Sequence, residues 1–385
     1  MAVAVLLVVA CSGRGGGDGR DSAGGADVGR TGSGRGPPST PAPRHLTLTA
    51  VGDILLHAPV IADGRSYAGG NGYAFDPMFD DVRDVISAAD LSICHQETPI
   101  SADNRGLSPP GAMSFSAPRE IATALRNAGF DACDTASNHT WDRGLAGIRS
   151  TLDVLDAAGI GHAGSARDQV EADAPPIYEV KGVKVGHLAF TYTIYNEAVP
   201  DARVPPEAPW LRSMSWPAIG PQGILAMART LRARGAELVV LSMHWGDQYR
   251  HQPTAQQRDL ARELLASPDV DLILGDHVHV VQPCERIGEK YVVYGMGNFL
   301  SNQSPTQDRS LAVDSQDGSI VTFSIDEVAP GRFQATRMTY VPTWVVVRGH
   351  RVVKATPEAQ PDSYRRTVAA MNLLGPGACD AQPAF

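Results

Sequence analysis

Cysteine is scarce in this chain: five in 385 residues, with no C-x-x-C pair among them. That excludes a zinc ribbon and a thioredoxin-like redox motif. Basic charge is also short, with 33 Lys and Arg against 42 Asp and Glu and a net charge of -9. A broad basic surface for nucleic acid is therefore not expected, although an anionic substrate stays open. No stretch after residue 12 is long and apolar enough to be a membrane span. There is no G-x-S-x-G elbow, no P-loop and no H-E-x-x-H helix, and "AGSA" around Ser165 reads as a turn. The glycine pair in "YGMGNF" lacks the helix start of a dinucleotide fingerprint, so it reads as a tight backbone approach.

What is present begins with "MAVAVLLVVAC", residues 1–11, an apolar run too short to span a bilayer as a helix. It reads as a signal peptide. Val8-Val9-Ala10-Cys11 resembles a bacterial lipobox, in which Cys11 is lipidated and becomes the mature N-terminus. An ordinary secretory signal is the alternative. No Lys or Arg precedes the run, which sets the expectation of a start further upstream. Residues 12–44 are rich in Gly, Ser, Arg and Pro, with almost nothing to bury, and read as a flexible tether. The expected location is extracytoplasmic, held at the cell membrane through the lipid, or secreted on the alternative reading. One or two disulfides are then possible. Cys94 and Cys133 lie in apolar runs, where a buried free thiol is the expectation, and no pairing is readable from the sequence.

Residues 45–350 alternate strand-like apolar runs with amphipathic helical segments, the pattern of an α/β domain, and 351–385 form a C-terminal extension. "HLTLTAVGDILL" and "DLSIC" read as strands, as do "KVGHLAFTYT", "AELVVLSMHW", "VDLILGDHVH", "KYVVYGMGNFLS" and "RMTYVPTWVVV". Helices are expected at about 118–128, 145–158, 221–234 and 254–266, several ending where a glycine can cap them. His187 is most simply a core or strand-face histidine.

Asp53, Glu97, Asn138, His244, His277 and His279 each fall just past an apolar run. In an α/β sheet, ligands collect outside the carboxyl ends of strands. In "GDHVHVVQP" an extended backbone would point His277 and His279 the same way. A strand-helix-strand crossover from "VVLSMHWG" to "LILGDHVH" would bring His244 to their edge. Imidazole and carboxylate suit Zn, Mn or Fe, an asparagine carbonyl can serve a second ion, and a carboxylate such as Glu97 can bridge two. One or two divalent ions are therefore expected. His139 would act as acid or anion binder, oriented by Asp142. Trp245 and Tyr249 are candidates for substrate contact or for packing, and Asn298 is a further candidate for substrate binding. Each residue alone also has an ordinary reading: a turn for Asp53, a surface charge for Glu97, a helix cap for Asn138, hydrogen-bonded strand-end histidines for His277 and His279.

Taken in order, "AVGDILL", "ADLSICHQETPI", "ASNHTWDRG", "HWGDQY", "GDHVHVVQP", "YGMGNF" and "YVPTWV" resemble the bacterial capsule-synthesis proteins of the CapA type, associated with poly-γ-glutamate, over about 46–347. The resemblance implies a metallophosphoesterase-like four-layer sandwich, two mixed β-sheets flanked by helices. It also implies a role in making, exporting or attaching an anionic surface polymer such as poly-γ-glutamate, with membrane synthase or export subunits as partners. Metal-assisted hydrolysis or transfer is the expected chemistry, and a non-catalytic polymer-binding subunit the alternative. The chain departs from the family at His95-Gln96, where Asn-Leu is usual, and at Ser137, Gln248 and Val278. The D-x-H of true phosphoesterases is absent, since Ile54 and Leu55 follow Asp53, and His57 stands at a different spacing.

Overall fold

The computed structural model describes residues 43–385. Cys11 and the tether up to residue 42 lie outside the described residues. In chain order the strands are β1 His45–Ile54, β2 Leu91–Gln96, β3 Ile100–Ser101, β4 Ala117–Pro118, β5 Ala132–Asp134, β6 Gly161–Ala163, β7 Ile177–Val180, β8 Val183–Thr191 and β9 Leu238–His244. They continue as β10 Leu272–Asp276, β11 Cys284–Ile287, β12 Lys290–Val293, β13 Asn298–Leu300, β14 Asp317–Ala329, β15 Arg332–Val346, β16 Arg351–Lys354 and β17 Gln382–Pro383. The helices are α1 Ala58–Tyr67, α2 Arg83–Ile86, α3 Glu120–Ala128, α4 Gly144–Ala157, α5 Gln169–Ala172, α6 Trp216–Ala233, α7 Ala255–Ala266 and α8 Pro361–Met371. Among the described residues no helix is long and apolar enough to cross a membrane.

Two mixed sheets account for most strands. The first runs β16-β15-β14-β1-β2-β5-β6, with β13 added on β1 and β17 on β15; the second runs β11-β12-β10-β9-β8-β7. Alternation along the central strands decides the layering. Leu46, Leu48 and Ala50 of β1 share a core with Val185 of β8, Leu238 and Val240 of β9 and Leu272 and Leu274 of β10, so the two sheets pack face to face. The opposite faces are covered by helices. Val51, Ile54 and Cys94 meet α1, α3 and α4 through Val60, Leu125 and Leu155, while Val239, Leu241 and Met243 meet α6 and α7 through Ala228 and Leu264. This is the four-layer α/β sandwich expected.

Local chemistry explains the helix limits. Thr254 caps α7 with a full capping box to Gln257, and Gly129 ends α3 at φ 110°. Helix α6 begins five residues before the expected start, because a short turn from Trp216 breaks at Gly220 (φ 63°) and Pro221 reopens the helix. The glycines of "YGMGNF" do serve a close approach: a Cβ on Gly52 would lie 2.0 Å from the Gly297 oxygen. That contact lets β13 pair with the end of β1, setting Asp53 beside Asn298.

One expectation is corrected. Cys94 and Cys133 are not free thiols: parallel pairing of β2 with β5 sets them side by side, Cα atoms 4.3 Å apart, and they form a disulfide. A second disulfide joins Cys284 to Cys379. Residues 351–385 also belong to the same compact unit as the rest, which runs from Pro43 to Phe385. Within it β16 and β17 both pair with β15, and Arg366 of α8 binds Asp317 at 2.7 Å. Arg44, compositionally part of the tether, is tied in by carboxylates of Glu237 and Glu327 at 2.7 and 2.8 Å.

Candidate metal centre

Strand register assembles the site. Pairing of β1 with β2 sets Asp53 beside His95, β2 with β5 sets His95 beside Asp134, and β9 with β10 sets His244 beside Asp276. Parallel strands end together, so each carboxyl end contributes one polar residue to the same edge. Glu97 follows β2 directly, and Asn138 and His139 lie in the loop from β5 to α4. Ser137 fixes that loop by donating to the Glu97 carbonyl at 2.8 Å and accepting from the His139 N–H at 3.0 Å.

His277 and His279 converge on this edge, though not as an extended strand. Strand β10 stops at Asp276, and both histidines adopt left-handed backbones, φ 91° and 57°. Such φ values are costly for non-glycine residues, and the surrounding bonds hold them. The His277 N–H donates to Asp53 Oδ1 at 3.0 Å, and His279 Nδ1 meets Asp53 Oδ2 at 3.0 Å and Asn298 Oδ1 at 3.2 Å. The His277 ring lies 4.6 Å from that of His244, whose Nε2 is 3.0 Å from Asn138 Oδ1. All six expected ligand residues are buried in one cluster.

Burial and charge set the electrostatics. Burial first, then the neighbouring His279 charge, pushes His277 down to about 3. Burial and His277 likewise hold His244 well below the usual imidazole range. An imidazole that ligates a metal must be neutral; the shifts of His277 and His244 run in that direction, whereas for His279 and His95 the neighbouring carboxylates outweigh burial and raise the pKa. Burial raises Glu97 and raises Asp276 strongly, whereas for Asp53 the His279 hydrogen bond and nearby imidazoles outweigh burial and lower its pKa.

Donor atoms of Asp53, Glu97 and His279 lie within 4.8 Å of one another, and so do those of Asp53, His95 and His244. The carboxylate common to both groups is Asp53 rather than Glu97. Both Glu97 oxygens, both Asp276 oxygens, His95 Nε2 and Nδ1 of His244 and His277 are buried without a hydrogen-bond partner. Buried polar groups are rarely left so. A cation is the partner that carboxylate oxygens and neutral imidazole nitrogens can share, so the residues fit a divalent ion of the Zn, Mn or Fe kind.

His139 Nδ1 is held by Asp142 Oδ2 at 2.8 Å, and the same oxygen accepts from the Phe115 N–H at 2.6 Å. His57, which stands at a different spacing from the missing D-x-H histidine, packs against Phe115, which in turn packs on His139. Of the substrate candidates, Tyr249 is 42 % exposed with its ring 5.7 Å from His279, at the mouth of the site. Trp245 is corrected: it is 1 % exposed and donates its indole N–H to the Tyr294 carbonyl, which is packing. Asn298 is likewise buried and bonds the Ser315 carbonyl and His279, so it orients a histidine rather than facing solvent. His95, Asp134 and Asp276 were missed as site residues. Their signal was a charged or imidazole side chain at the carboxyl end of an apolar strand.

Fold and cluster together define an α/β sandwich protein with a buried carboxylate–histidine centre of the metal-ligand kind. The chain belongs to the bacterial capsule synthesis protein family PGA_cap, whose model matches residues 47–303. It is 27 % identical over 272 residues to the capsule biosynthesis protein CapA of Bacillus anthracis, covering 70 % of this chain and 62 % of that one. It is 25 % identical over 294 residues to the PGA biosynthesis protein CapA of Bacillus subtilis, covering 76 % and 70 %. The chain thus spans about two thirds of the length of these relatives. Among solved structures, a calcineurin-like phosphoesterase, YfkN of Bacillus subtilis, aligns with 14 % identity over 86 % of this chain and 99 % of that one, TM-score 0.46. A phosphatase of Mycoplasma pneumoniae aligns with 14 % identity over 78 % and 94 %, TM-score 0.42.

Proposed function

We propose that this chain is a metal-dependent hydrolase or transferase acting on an anionic cell-surface polymer, such as poly-γ-glutamate, or on its precursor. The observation that carries the reading is the set of unpartnered buried donors around Asp53, beside a histidine already oriented for proton transfer. Asp53, Glu97, Asn138, His244, His277 and His279 would hold one or two divalent ions. A bound ion supplies a Lewis acid and a water of lowered pKa. Asp142 fixes His139 through Nδ1, which leaves Nε2 to protonate a leaving group or to bind an anionic oxygen. Tyr249 at the mouth would contact the polymer.

The test is hydrolysis of a generic phosphodiester or of poly-γ-glutamate, with turnover expected only when Mn or Zn is added. His139→Ala is expected to lower the rate by about 10²-fold or more while metal stays bound. Metal binding without turnover on either substrate class would replace the enzyme by a polymer-binding subunit of a membrane synthase or export complex.

An extracytoplasmic, lipid-anchored location is part of the proposal. Two disulfides support the extracytoplasmic part, since such bonds persist in oxidising compartments. Labelled fatty acid is expected in the wild type and not in Cys11→Ser, and free release of the wild type into the medium would count against the anchor.

A further inference from the structure

We propose that His95, which stands where the family pattern has asparagine, is itself a metal ligand: its Nε2 completes the half of the site formed by Asp53 and His244. This rests on the metal reading above and assigns a ligand that the family pattern does not supply.

Three observations carry it. His95 Nδ1 is held by Asp134 Oδ1 at 2.6 Å, fixing the ring and committing one nitrogen. The remaining nitrogen, Nε2, sits in a fully buried side chain without a hydrogen-bond partner. It is aimed into the centre, 3.8 Å from Asp53 Oδ1, with the ring 4.8 Å from that of His244. A distance of 3.8 Å is too long for a hydrogen bond. It is compatible with two atoms sharing one ion, since ligands each about 2.1 Å from a metal lie at most about 4.2 Å apart. A carboxylate behind the far nitrogen is the usual support for a metal-bound histidine, because it fixes the tautomer and raises ligand basicity. Asparagine at this position could not be gripped by Asp134 and still present an aromatic nitrogen.

Without His95, the group around His244 has Asp53, the Asn138 carbonyl and His277 to draw on, and Asp53 is shared with Glu97 and His279. His95, Asp53 and His244 together are three buried donors whose ligand atoms lie within 4.8 Å of one another, enough to hold an ion while keeping a position open. The competing account makes His95 an imidazolium caged by Asp134, Asp53 and Asp276, the last at 4.0 Å from Nδ1. In that account its replacement would alter stability and leave metal untouched.

The experiment titrates the purified protein with Co²⁺ alone, following stoichiometry and the visible spectrum that reports its ligands. His95→Asn, which restores the family residue, is expected to lose one equivalent of Co²⁺ or to weaken one class of site by at least about 10-fold, with a changed spectrum. The thermal transition of the metal-free variant shows whether it folds. Asp134→Asn keeps the imidazole and removes its support, and about a 10- to 100-fold loss of Co²⁺ affinity is expected; it decides the matter if His95→Asn does not fold. Wild-type stoichiometry, affinity and spectrum in either folded variant would overturn the assignment. A wild type that takes up no Co²⁺ would instead sink the metal reading itself.

Discussion

A buried imidazole needs a reason to be buried, and two histidines of the second sheet have different ones. His244 ends β9 among other histidines and carboxylates, with Nδ1 unpartnered. His187, mid-strand in β8, is wholly buried with Nε2 bonded to Ser242 Oγ at 3.0 Å and Nδ1 likewise unpartnered, but its ring lies beside Tyr178 rather than among the site histidines. Burial pushes His187 down to about 4, against a partial pull upward from Asp134. Because the folded value lies below the unfolded value of about 6.5, the unfolded chain binds the proton first on acidification. The contribution is therefore fully present above about pH 6.5 and is lost as pH falls through about 4, a change of about 3 kcal/mol at 1.36 kcal/mol per unit. Urea unfolding of the metal-free protein between these limits should show a shallower loss of stability in His187→Gln than in the wild type. Parallel curves would mean that His187 is not neutral in the folded state.

At the level of elements, periodicity made most of the sandwich legible. Strands β1, β8, β9 and β10 and helices α3, α4 and α7 stand within a few residues of their sequence-based limits, because apolar alternation and glycine or capping signals are local. The six ligand candidates were legible for the same reason: each falls at or just past the end of an apolar run. His95, Asp134 and Asp276 were not, although they sit at strand ends just as Asp53 and His244 do. Their role depends on register, which is a property of two strands and is written in neither. The turn after Asp276 was also hidden. A left-handed backbone is advertised by glycine or asparagine, whereas here two histidines are held there by Asp53, 224 and 226 residues away in sequence. Trp245 was ambiguous because an aromatic beside a ligand histidine looks the same whether it faces solvent or, as here, the helices on the outer face of the sheet.

For the whole molecule, the question is what keeps two sheets in one alignment when the site draws on both. Their shared apolar core is non-directional. The C-terminal segment adds direction: β16 and β17 extend the first sheet through β15, while Cys379, just before β17, is bonded to Cys284 of β11 at the edge of the second. Arg286 reinforces this closure, its N–H donating to the Ala378 carbonyl at 2.6 Å and its guanidinium to Asp380 at 2.9 Å. The bond spans 95 residues, and a loop of that length would restrict the unfolded chain by up to about 4 to 5 kcal/mol, with about 2 to 4 typical of what is realised. The double variant Cys284→Ser with Cys379→Ser should therefore unfold at a clearly lower temperature. Neither cysteine is among the candidate ligands, so its Co²⁺ stoichiometry below that transition should match the wild type. A variant that keeps its transition would show that the apolar core alone aligns the sheets. One that folds but loses metal would show that the clamp sets the register of the site as well as the stability of the fold.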